Sequence, residues 1–159
     1  MIPPRFIEVL RQIRDRLEGQ ETHWAVVGSL GLAMRGLPLE PHDIDIMSDE
    51  AGAHEIERVL SEFVKKHVYL REGETLRSHF GELEVNGVKV EIMGDLRIRS
   101  PDGTWEELVA MRQNMQIVFF EEMRVPVLSL ECERRASLRL GRPERAEMIR
   151  EHLTRLELR

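Results

Sequence analysis

Apolar residues recur along the N-terminal part of the chain at helical spacing. After Pro3 and Pro4, an apolar side chain returns every three or four positions, which is the buried stripe of an amphipathic helix. The stripe consists of Phe6, Val9, Leu10, Ile13 and Leu17. Gly19 is typical of a helix end, and the short apolar run at 24–27 predicts a buried strand. The chain is therefore expected to begin with a helix that leads into a strand.

The segment 23–47 combines a strand, a tight turn and a second strand. The first strand is followed by a Gly-Ser pair, a short helical stretch at 30–35 and the second strand at 43–46. Alternate side chains of a strand point to opposite faces, so Asp43 and Asp45 share one face. The isoleucines that alternate with them point toward the core. Two neighbouring carboxylates repel each other, and the segment therefore presents a face that attracts positive charge.

A helix, a strand and a β-hairpin are predicted next. Ser48 suits the N-cap position of the helix, whose buried stripe is Ala53, Ile56, Leu60 and Phe63. A strand is expected near 67–70. The hairpin covers 80–93, because Asn86 and Gly87 favour the two positive φ angles of a type I′ turn. Alternation divides its strands into a buried and a polar face: Leu83, Val85, Val88, Val90 and Ile92 on the first, and Glu82, Glu84, Lys89 and Glu91 on the second.

The following segment is interpreted as a loop, a second hairpin and a helix. The loop is expected at 100–103, and the hairpin at 115–127, with two adjacent glutamates at its turn. Ser129 is the predicted N-cap of the helix, and Gly141 ends it. The buried side of this helix is predicted to contain Cys132, Ala136 and Leu140.

The chain ends in a second predicted C-terminal helix, which begins at Pro143 and has Ala146, Ile149, Leu153 and Leu156 as its buried positions. Arginines at 134–155 alternate with glutamates, which predicts an exposed charged face. The sequence has no internal repeat and no linker, so we expect one domain over 1–159. Its core would cover about 20–127 and a helical hairpin about 128–158. The predicted class is α/β (α+β), a small mixed sheet backed by helices.

Composition and charge narrow the class of protein. Apolar residues make up 42% and charged residues 33% of the 159 residues, as in a soluble globular domain. No apolar run approaches the ~20 residues that span a membrane, and the first residues lack the apolar region of a signal peptide. The net charge of −6 does not favour general nucleic-acid binding. The single cysteine fits a reducing cytoplasm, so a cytoplasmic location is expected.

An ordered set of motifs indicates a chemical function for these elements. An apolar strand ends in Gly28-Ser29, thirteen residues separate this pair from Asp43-x-Asp45, and Glu91 follows on a later strand. This order resembles the DNA polymerase beta-like nucleotidyltransferase superfamily, and in particular its small stand-alone members. The resemblance covers about residues 23–94. It implies the nucleotidyltransferase fold and transfer of a nucleoside monophosphate from a nucleoside triphosphate to an acceptor hydroxyl.

The resemblance also implies roles for individual residues. Asp43, Asp45 and Glu91 would be the catalytic residues and would bind two Mg²⁺ ions, or Mn²⁺ in their place. Gly28, Ser29 and Lys89 would contact the nucleotide phosphates. Mg²⁺ prefers oxygen ligands and is often bound by one or two carboxylates together with phosphates and water. Two such ions can stabilise the attacking and leaving oxygens of an in-line displacement.

The same residues have structural interpretations. The aspartates could be the solvated face of a half-buried strand, and the Gly-Ser pair could be only a tight turn. Glu84 competes with Glu91 as the third acid, and Glu91 could pair with Lys89. Three further cations could contact phosphates or remain on the surface: Arg35, Arg77 and Arg97. The six histidines are scattered without metal-ligand spacing, so no zinc site is expected.

The pattern departs from the family at two places, which leaves nucleotide and acceptor choice open. Pro41-His42 precede the aspartates, where many members carry serine, or arginine and threonine, and Glu91 replaces a shorter aspartate. Haloacid-dehalogenase phosphatases also begin with Asp-x-Asp, but Pro41-His42 before the pair and Met47 after it argue against that class.

Several acceptors and two other functions fit the sequence. The acceptor could be an aminoglycoside or lincosamide antibiotic, a protein side chain or an RNA end. Its pocket would come from 105–115, from the C-terminal helices or from a partner subunit. One alternative is an abortive-infection-type toxin with an antitoxin partner, and another is a non-catalytic nucleotide-binding module. A structural interaction domain without a ligand is a further alternative, which the set of motifs disfavours.

Overall fold

The computed structural model describes residues 1–158 and has the expected α/β class. Its strands are β1 (Trp24–Val27), β2 (Ile44–Ser48), β3 (Val64–Glu72), β4 (Leu76–Val85), β5 (Val88–Arg99), β6 (Trp105–Glu107), β7 (Met115–Phe120) and β8 (Met123–Leu128). Its helices are α1 (Pro4–Leu17), α2 (Gly28–Ala33), α3 (Glu50–Val59), α4 (Met111–Asn114), α5 (Leu130–Arg139) and α6 (Pro143–Glu157). A 3₁₀ turn, Ser61–Phe63, joins α3 to β3.

The strands form one mixed sheet in the order β3-β4-β5-β2-β1-β8-β7, with β6 paired to β5. β1 and β2 are antiparallel, whereas β2 and β5 are parallel. The end of β1 therefore lies beside the starts of β2 and β5. In register, Val27 lies opposite Asp45, and Asp45 lies opposite Glu91. This arrangement gathers the predicted acids and the Gly-Ser pair at one end of the sheet.

The sheet is covered on both faces. On one face, the apolar stripe of α1 packs with Ala53 and Ile56 of α3 against β2 and β5. On the other face, Cys132 of α5 packs with Val27 and Met47. Removal of this apolar surface from water is the main stabilising contribution to the fold. The strand faces are thus divided as predicted, with the isoleucines of β2 in the first core.

Several local predictions are confirmed. The hairpin between β4 and β5 turns at Asn86 and Gly87, whose φ angles are 48° and 78°. The Ser129 side chain caps α5 by accepting a hydrogen bond from the Cys132 N–H at 3.1 Å. Gly141 follows α5 with a φ of 73°. In these places two to four adjacent residues determine the backbone, so the signal in the sequence is local.

The predicted cap of α3 is wrong, because β2 extends further than expected. Ser48 is the last residue of β2, is 3% exposed and donates a hydrogen bond to the His23 carbonyl at 2.6 Å. Asp49 is the cap instead, and its carboxylate accepts from the Gly52 N–H at 2.6 Å. Both residues favour N-caps, and pairing of Ser48 with Trp24 in the sheet decides between them.

Two smaller differences concern helices. α2 begins at Gly28, two residues before the predicted start, and ends at Ala33. Of the predicted buried stripe of α6, only Ala146 and Ile149 are buried. Leu156, at the end of that stripe, is 43% exposed. Within residues 1–158, no helix has both the length and the apolar character that crossing a membrane requires.

Candidate active site

The structure brings three carboxylates together on one face of the sheet. Asp43 immediately precedes β2, Asp45 lies within it, and Glu91 is the neighbour of Asp45 on β5. One oxygen from each of the three carboxylates lies within 4.8 Å of the others. All three side chains are partly exposed. The predicted acids therefore form a single group that solvent and ligands can reach.

The positive charges near the three carboxylates do not fully offset their negative charge. Burial, with the added charges of Asp43 and Glu91, raises the pKa of Asp45 to about 7. Burial and the charge of Glu91 also raise the pKa of Asp43. Lys89 Nζ lies 3.1 Å from Glu91 Oε1 and supplies one positive charge. An oxygen-only donor set with excess negative charge suits a hard divalent cation such as Mg²⁺.

The Gly28-Ser29 turn lies directly beside these carboxylates. Gly28 has a φ of +70°, and a Cβ placed on it would lie 3.0 Å from Asp45 Oδ2. Glycine is therefore required here for its backbone conformation and for the close approach to Asp45. The Ser29 hydroxyl accepts a hydrogen bond from Arg145 Nη2 at 3.1 Å. The turn thus presents a polar side chain next to a cation.

Comparison with known proteins assigns the chain to a family. The sequence model for the aminoglycoside-2″-adenylyltransferase family matches residues 9–154. The chain belongs to this family. It is therefore a nucleotidyltransferase, and the superfamily inferred from the motifs is confirmed.

A solved structure supports the same assignment. A crystal structure of a candidate nucleotidyltransferase from Thermotoga maritima is 52% identical, covers 98% of this chain and 96% of its own, and superposes with a TM-score of 0.86. No curated protein gives a significant match.

Two more distant structures share the fold. The lincosamide antibiotic adenylyltransferase LnuA, bound to lincomycin, is 17% identical over 79% of this chain and 82% of its own, with a TM-score of 0.54. ANT(2″)-Ia, in complex with adenylyl-2″-tobramycin, is 13% identical over 96% of this chain and 99% of its own, with a TM-score of 0.55. At such low sequence identity, these two structures show that the fold is shared.

A buried ion pair, formed by Glu133 and Arg35, supports the backbone of the Gly28-Ser29 turn. Glu133 on α5 is 7% exposed, and its Oε2 accepts a hydrogen bond from the Gly28 N–H at 3.2 Å. Arg35 Nη2 lies 3.9 Å from the same oxygen, while its Nη1 donates to the Leu128 carbonyl at 2.6 Å. Burial raises the pKa of Glu133 to about 7 and lowers the pKa of Arg35. Arg35 is thus a largely buried residue, with 10% of its side chain exposed, that supports the turn of this nucleotidyltransferase.

The other predicted cations lie elsewhere. Arg77 stacks on Trp105 at 4.8 Å from the ring centroid, and Arg97 pairs with Asp95 at 3.1 Å. Glu84, the competing third acid, is exposed and lies 3.5 Å from Lys65 Nζ. Among the predicted acids of the hairpin, the structure therefore places Glu91 beside the aspartates.

The sequence interpretation missed the C-terminal contribution to the site. Arg145 was included in an exposed charged face, but it contacts Ser29. The positive charge of Arg142 also acts on Asp45 and lowers its pKa against the dominant effect of burial. Arg150 shows the pattern that was expected, because it pairs with Glu147 on the surface. The indication in the sequence that Arg145 could leave the exposed face is its position directly before the buried Ala146.

Replacing Gly28 with alanine should destabilise the protein and crowd Asp45. A positive φ costs a residue with a Cβ about 1–2 kcal/mol, and the new Cβ would lie 3.0 Å from the carboxylate. Gly19→Ala is the matched control, since Gly19 has a φ of +84° and nothing within 4 Å of its Cβ position. Urea unfolding should show a larger loss for Gly28→Ala, with weaker Mg²⁺-nucleotide binding. Equal losses and unchanged binding would contradict the close approach.

Proposed function

We propose that this protein transfers a nucleoside monophosphate from a nucleoside triphosphate to a hydroxyl group of a small acceptor, in a metal-dependent reaction. The observation that carries the proposal is the gathering of Asp43, Asp45 and Glu91 within 4.8 Å, beside the Gly28-Ser29 turn. Family membership supports nucleotidyl transfer as the reaction type. We place the reaction in the cytoplasm, in agreement with the single buried cysteine, Cys132.

The three carboxylates fit a divalent metal centre. Asp43 and Asp45 would hold the ions, and Glu91 would complete the donor set. The unusually high pKa of Asp45 supports this role, because charges that repel one another in the metal-free protein favour a bound cation. Bound Mg²⁺ would supply charge stabilisation at the phosphates and at the attacking oxygen. Mn²⁺ has similar ligand preferences.

The residues around the turn would bind the triphosphate. Gly28 leaves room at the surface of the turn, and Ser29 offers a hydroxyl group. Arg145 lies 3.1 Å from that hydroxyl and would pair with a phosphate oxygen. Together with Lys89, it would offset the charge that develops on the departing pyrophosphate. These cations would orient the phosphorus for attack from the opposite side.

Glu91 would handle the proton of the acceptor. A hydroxyl group must lose its proton as its oxygen bonds to phosphorus, and a carboxylate within hydrogen-bond reach can accept it. Lys89, whose Nζ lies 3.1 Å from Glu91 Oε1, would orient this carboxylate. The balanced reaction joins the acceptor oxygen to the α-phosphorus and breaks the bond to the β-phosphate oxygen. Pyrophosphate is the second product.

A cationic small molecule is the acceptor that the charge distribution favours. A cavity of about 180 Å³ is lined by three acidic residues, Asp49, Asp95 and Glu107, against one arginine, Arg112, which pairs with Asp49 at 2.9 Å. Met47 also lines it, and lies on the same face of β2 as Asp45. The net charge of −6 disfavours an RNA end as acceptor. The family description, an aminoglycoside adenylyltransferase, points to the same chemistry.

A transfer assay would test the proposal directly. The protein would be incubated with each nucleoside triphosphate, Mg²⁺ or Mn²⁺, and a set of aminoglycosides, lincosamides and neutral sugars. We expect pyrophosphate release and an acceptor that gains one nucleoside monophosphate by mass spectrometry. Chelation of the metal and the double substitution Asp43→Asn/Asp45→Asn should each abolish both signals, whereas Asp15→Asn on α1 should retain them. Nucleotide that binds but never turns over would indicate a non-catalytic module.

A further inference from the structure

Two histidines and a glutamate meet on the opposite side of the sheet from the carboxylate group. Glu50 and His54 are four residues apart on α3 and therefore lie on one face of the helix. His79 comes from β4. One ligand atom from each of the three side chains lies within 4.8 Å of the others. We refer to Glu50, His54 and His79 as the histidine cluster.

A close helix-to-strand contact builds this cluster. His79 is paired with Gly94 of β5. A Cβ on Gly94 would lie 2.7 Å from the Asp49 carbonyl oxygen and 2.8 Å from the Ala53 Cβ, so α3 rests directly on the backbone of β5. The contact places the first turns of α3 over the neighbouring position on β4. The cluster thus lies on rigid secondary structure.

The cluster is separated from the candidate active site by the sheet itself. Val90, Ile92 and Gly94 alternate with Glu91 along β5, so they point to the α3 side, and Glu91 points to the other. His79 shares the face of Gly94 because paired residues of antiparallel strands lie on the same face. A ligand of the cluster would therefore leave the three carboxylates free.

The Glu50 and His79 side chains of the cluster lie near each other but are too far apart for a hydrogen bond. His79 Nε2 and Glu50 Oε2 are 3.7 Å apart, which exceeds hydrogen-bond distance. The two imidazole ring centroids are 6.4 Å apart and inclined by 55°. Ligands of a tetrahedral zinc ion, with bonds of 2.0–2.2 Å, are about 3.3 Å from one another. Small rotamer adjustments would bring the three donor atoms to that spacing.

We propose that the histidine cluster is a binding site for a transition-metal cation of the zinc class. Two imidazole nitrogens and one carboxylate oxygen are donors that Zn²⁺ accepts, and solvent can supply the fourth ligand because Glu50 and His54 are exposed. Mg²⁺ is disfavoured, since imidazole suits zinc, copper and nickel. The proposal departs from the prediction that the scattered histidines form no zinc site, since 24 residues separate His54 from His79 along the chain.

A bound cation would join α3 to β4. It would stabilise the folded protein over the unfolded chain, in which the three donors are dispersed. Neither nucleotide nor acceptor is needed for this binding, so the proposal stands or fails independently of the transfer reaction.

The test is a metal titration of the full chain without a histidine tag, freed of metal by a chelator. Zn²⁺ would be titrated calorimetrically in excess Mg²⁺, which covers the carboxylate group, and Co²⁺ binding would be followed by its visible spectrum. We expect one Zn²⁺ per chain, a higher unfolding temperature with Zn²⁺, and a Co²⁺ spectrum of nitrogen ligation. His54→Ala and His79→Ala should each weaken binding by at least about tenfold.

Two control variants separate this site from other sources of binding. His67→Ala removes a surface histidine outside the histidine cluster, whose Nδ1 lies 3.0 Å from Glu57 Oε1, and this variant should bind Zn²⁺ normally. Asp43→Asn/Asp45→Asn should also bind normally. His54 is exposed, so its substitution should fold even if that of His79 does not. Unchanged affinity in His54→Ala, or loss only in the aspartate variant, would overturn the proposal.

Discussion

Asp45→Asn should abolish nucleotidyl transfer and, at the same time, stabilise the metal-free protein above pH 7. Asp45 is the acid with the strongest perturbation in the carboxylate group, and burial and its acidic neighbours raise its pKa to about 7. Removing its charge removes a ligand of the proposed metal ions, so we expect kcat to fall on the order of 10³-fold. The gain in stability arises because the same charge is unfavourable in the absence of metal.

The direction of the pH effect follows from the two protonation states. Between about pH 4 and pH 7 the folded protein retains a proton on Asp45 that the unfolded chain has released. Stability therefore decreases as the pH rises through this window, and the loss is complete above pH 7. Urea unfolding in a chelator should show Asp45→Asn more stable than the wild type at pH 8 by roughly 1–3 kcal/mol.

At pH 4 the advantage of Asp45→Asn should nearly vanish, because the wild-type carboxyl is protonated there in the folded protein. Asp15→Asn is a suitable control, since the Asp15 side chain is 56% exposed on α1 and its loss should leave transfer intact. A variant that loses activity but is less stable than the wild type at pH 8 would show that Asp45 contributes to folding rather than to metal binding.

Glu133→Ala is expected to be the most destabilising single substitution among the site residues. It leaves the guanidinium of Arg35 buried without its carboxylate and removes the acceptor of the Gly28 N–H. At pH 8, where Glu133 with its pKa of about 7 is charged, breaking this buried pair from one side should cost about 3–5 kcal/mol. We also expect weaker nucleotide binding, because the turn that carries Ser29 loses its support. Urea unfolding and calorimetry with Mg²⁺-ATP would measure the two effects.

The same helix offers a matched control for Glu133. Glu131 also pairs with an arginine, Arg134, but its side chain is 49% exposed, so Glu131→Ala should cost less than about 1 kcal/mol. Glu133→Gln should lie between the two, since its amide oxygen can still accept from Gly28. If Glu133→Ala were no more costly than Glu131→Ala, the buried pair would not be what holds the turn.

Local chemistry explains what could be predicted from the sequence. Asn86 and Gly87 determine a turn by themselves, and alternation along β5 then places Glu91 on the polar face. Asp43, directly before β2, and Asp45 within it are two residues apart, so their shared face follows from the geometry of an extended chain. The carboxylate group could be anticipated because a resemblance supplied the third acid and strand pairing needed only to align it.

Contacts between distant segments explain what could not be predicted. Glu133 and Arg145 reach the Gly-Ser turn across separations of 105 and 116 residues. Each belongs to a helix rich in arginine and glutamate, in which the pattern of charges is the same for exposed and contacting residues. His54 and His79 meet only because α3 rests on Gly94. Such contacts depend on how helices and strands pack against one another, and the local sequence pattern does not indicate this packing.

The long separation between the Gly-Ser turn and its supports has a consequence for biosynthesis. Gly28 and Ser29 leave the ribosome in the first fifth of the chain, but their partners Glu133 and Arg145 emerge last. β8, which pairs with β1 in the middle of the sheet, is also made late. A nascent chain therefore carries the carboxylates well before the Gly28-Ser29 turn has its supports. Most of the chain must therefore be made before the turn has both supports, and a product that ends before Glu133 would lack them.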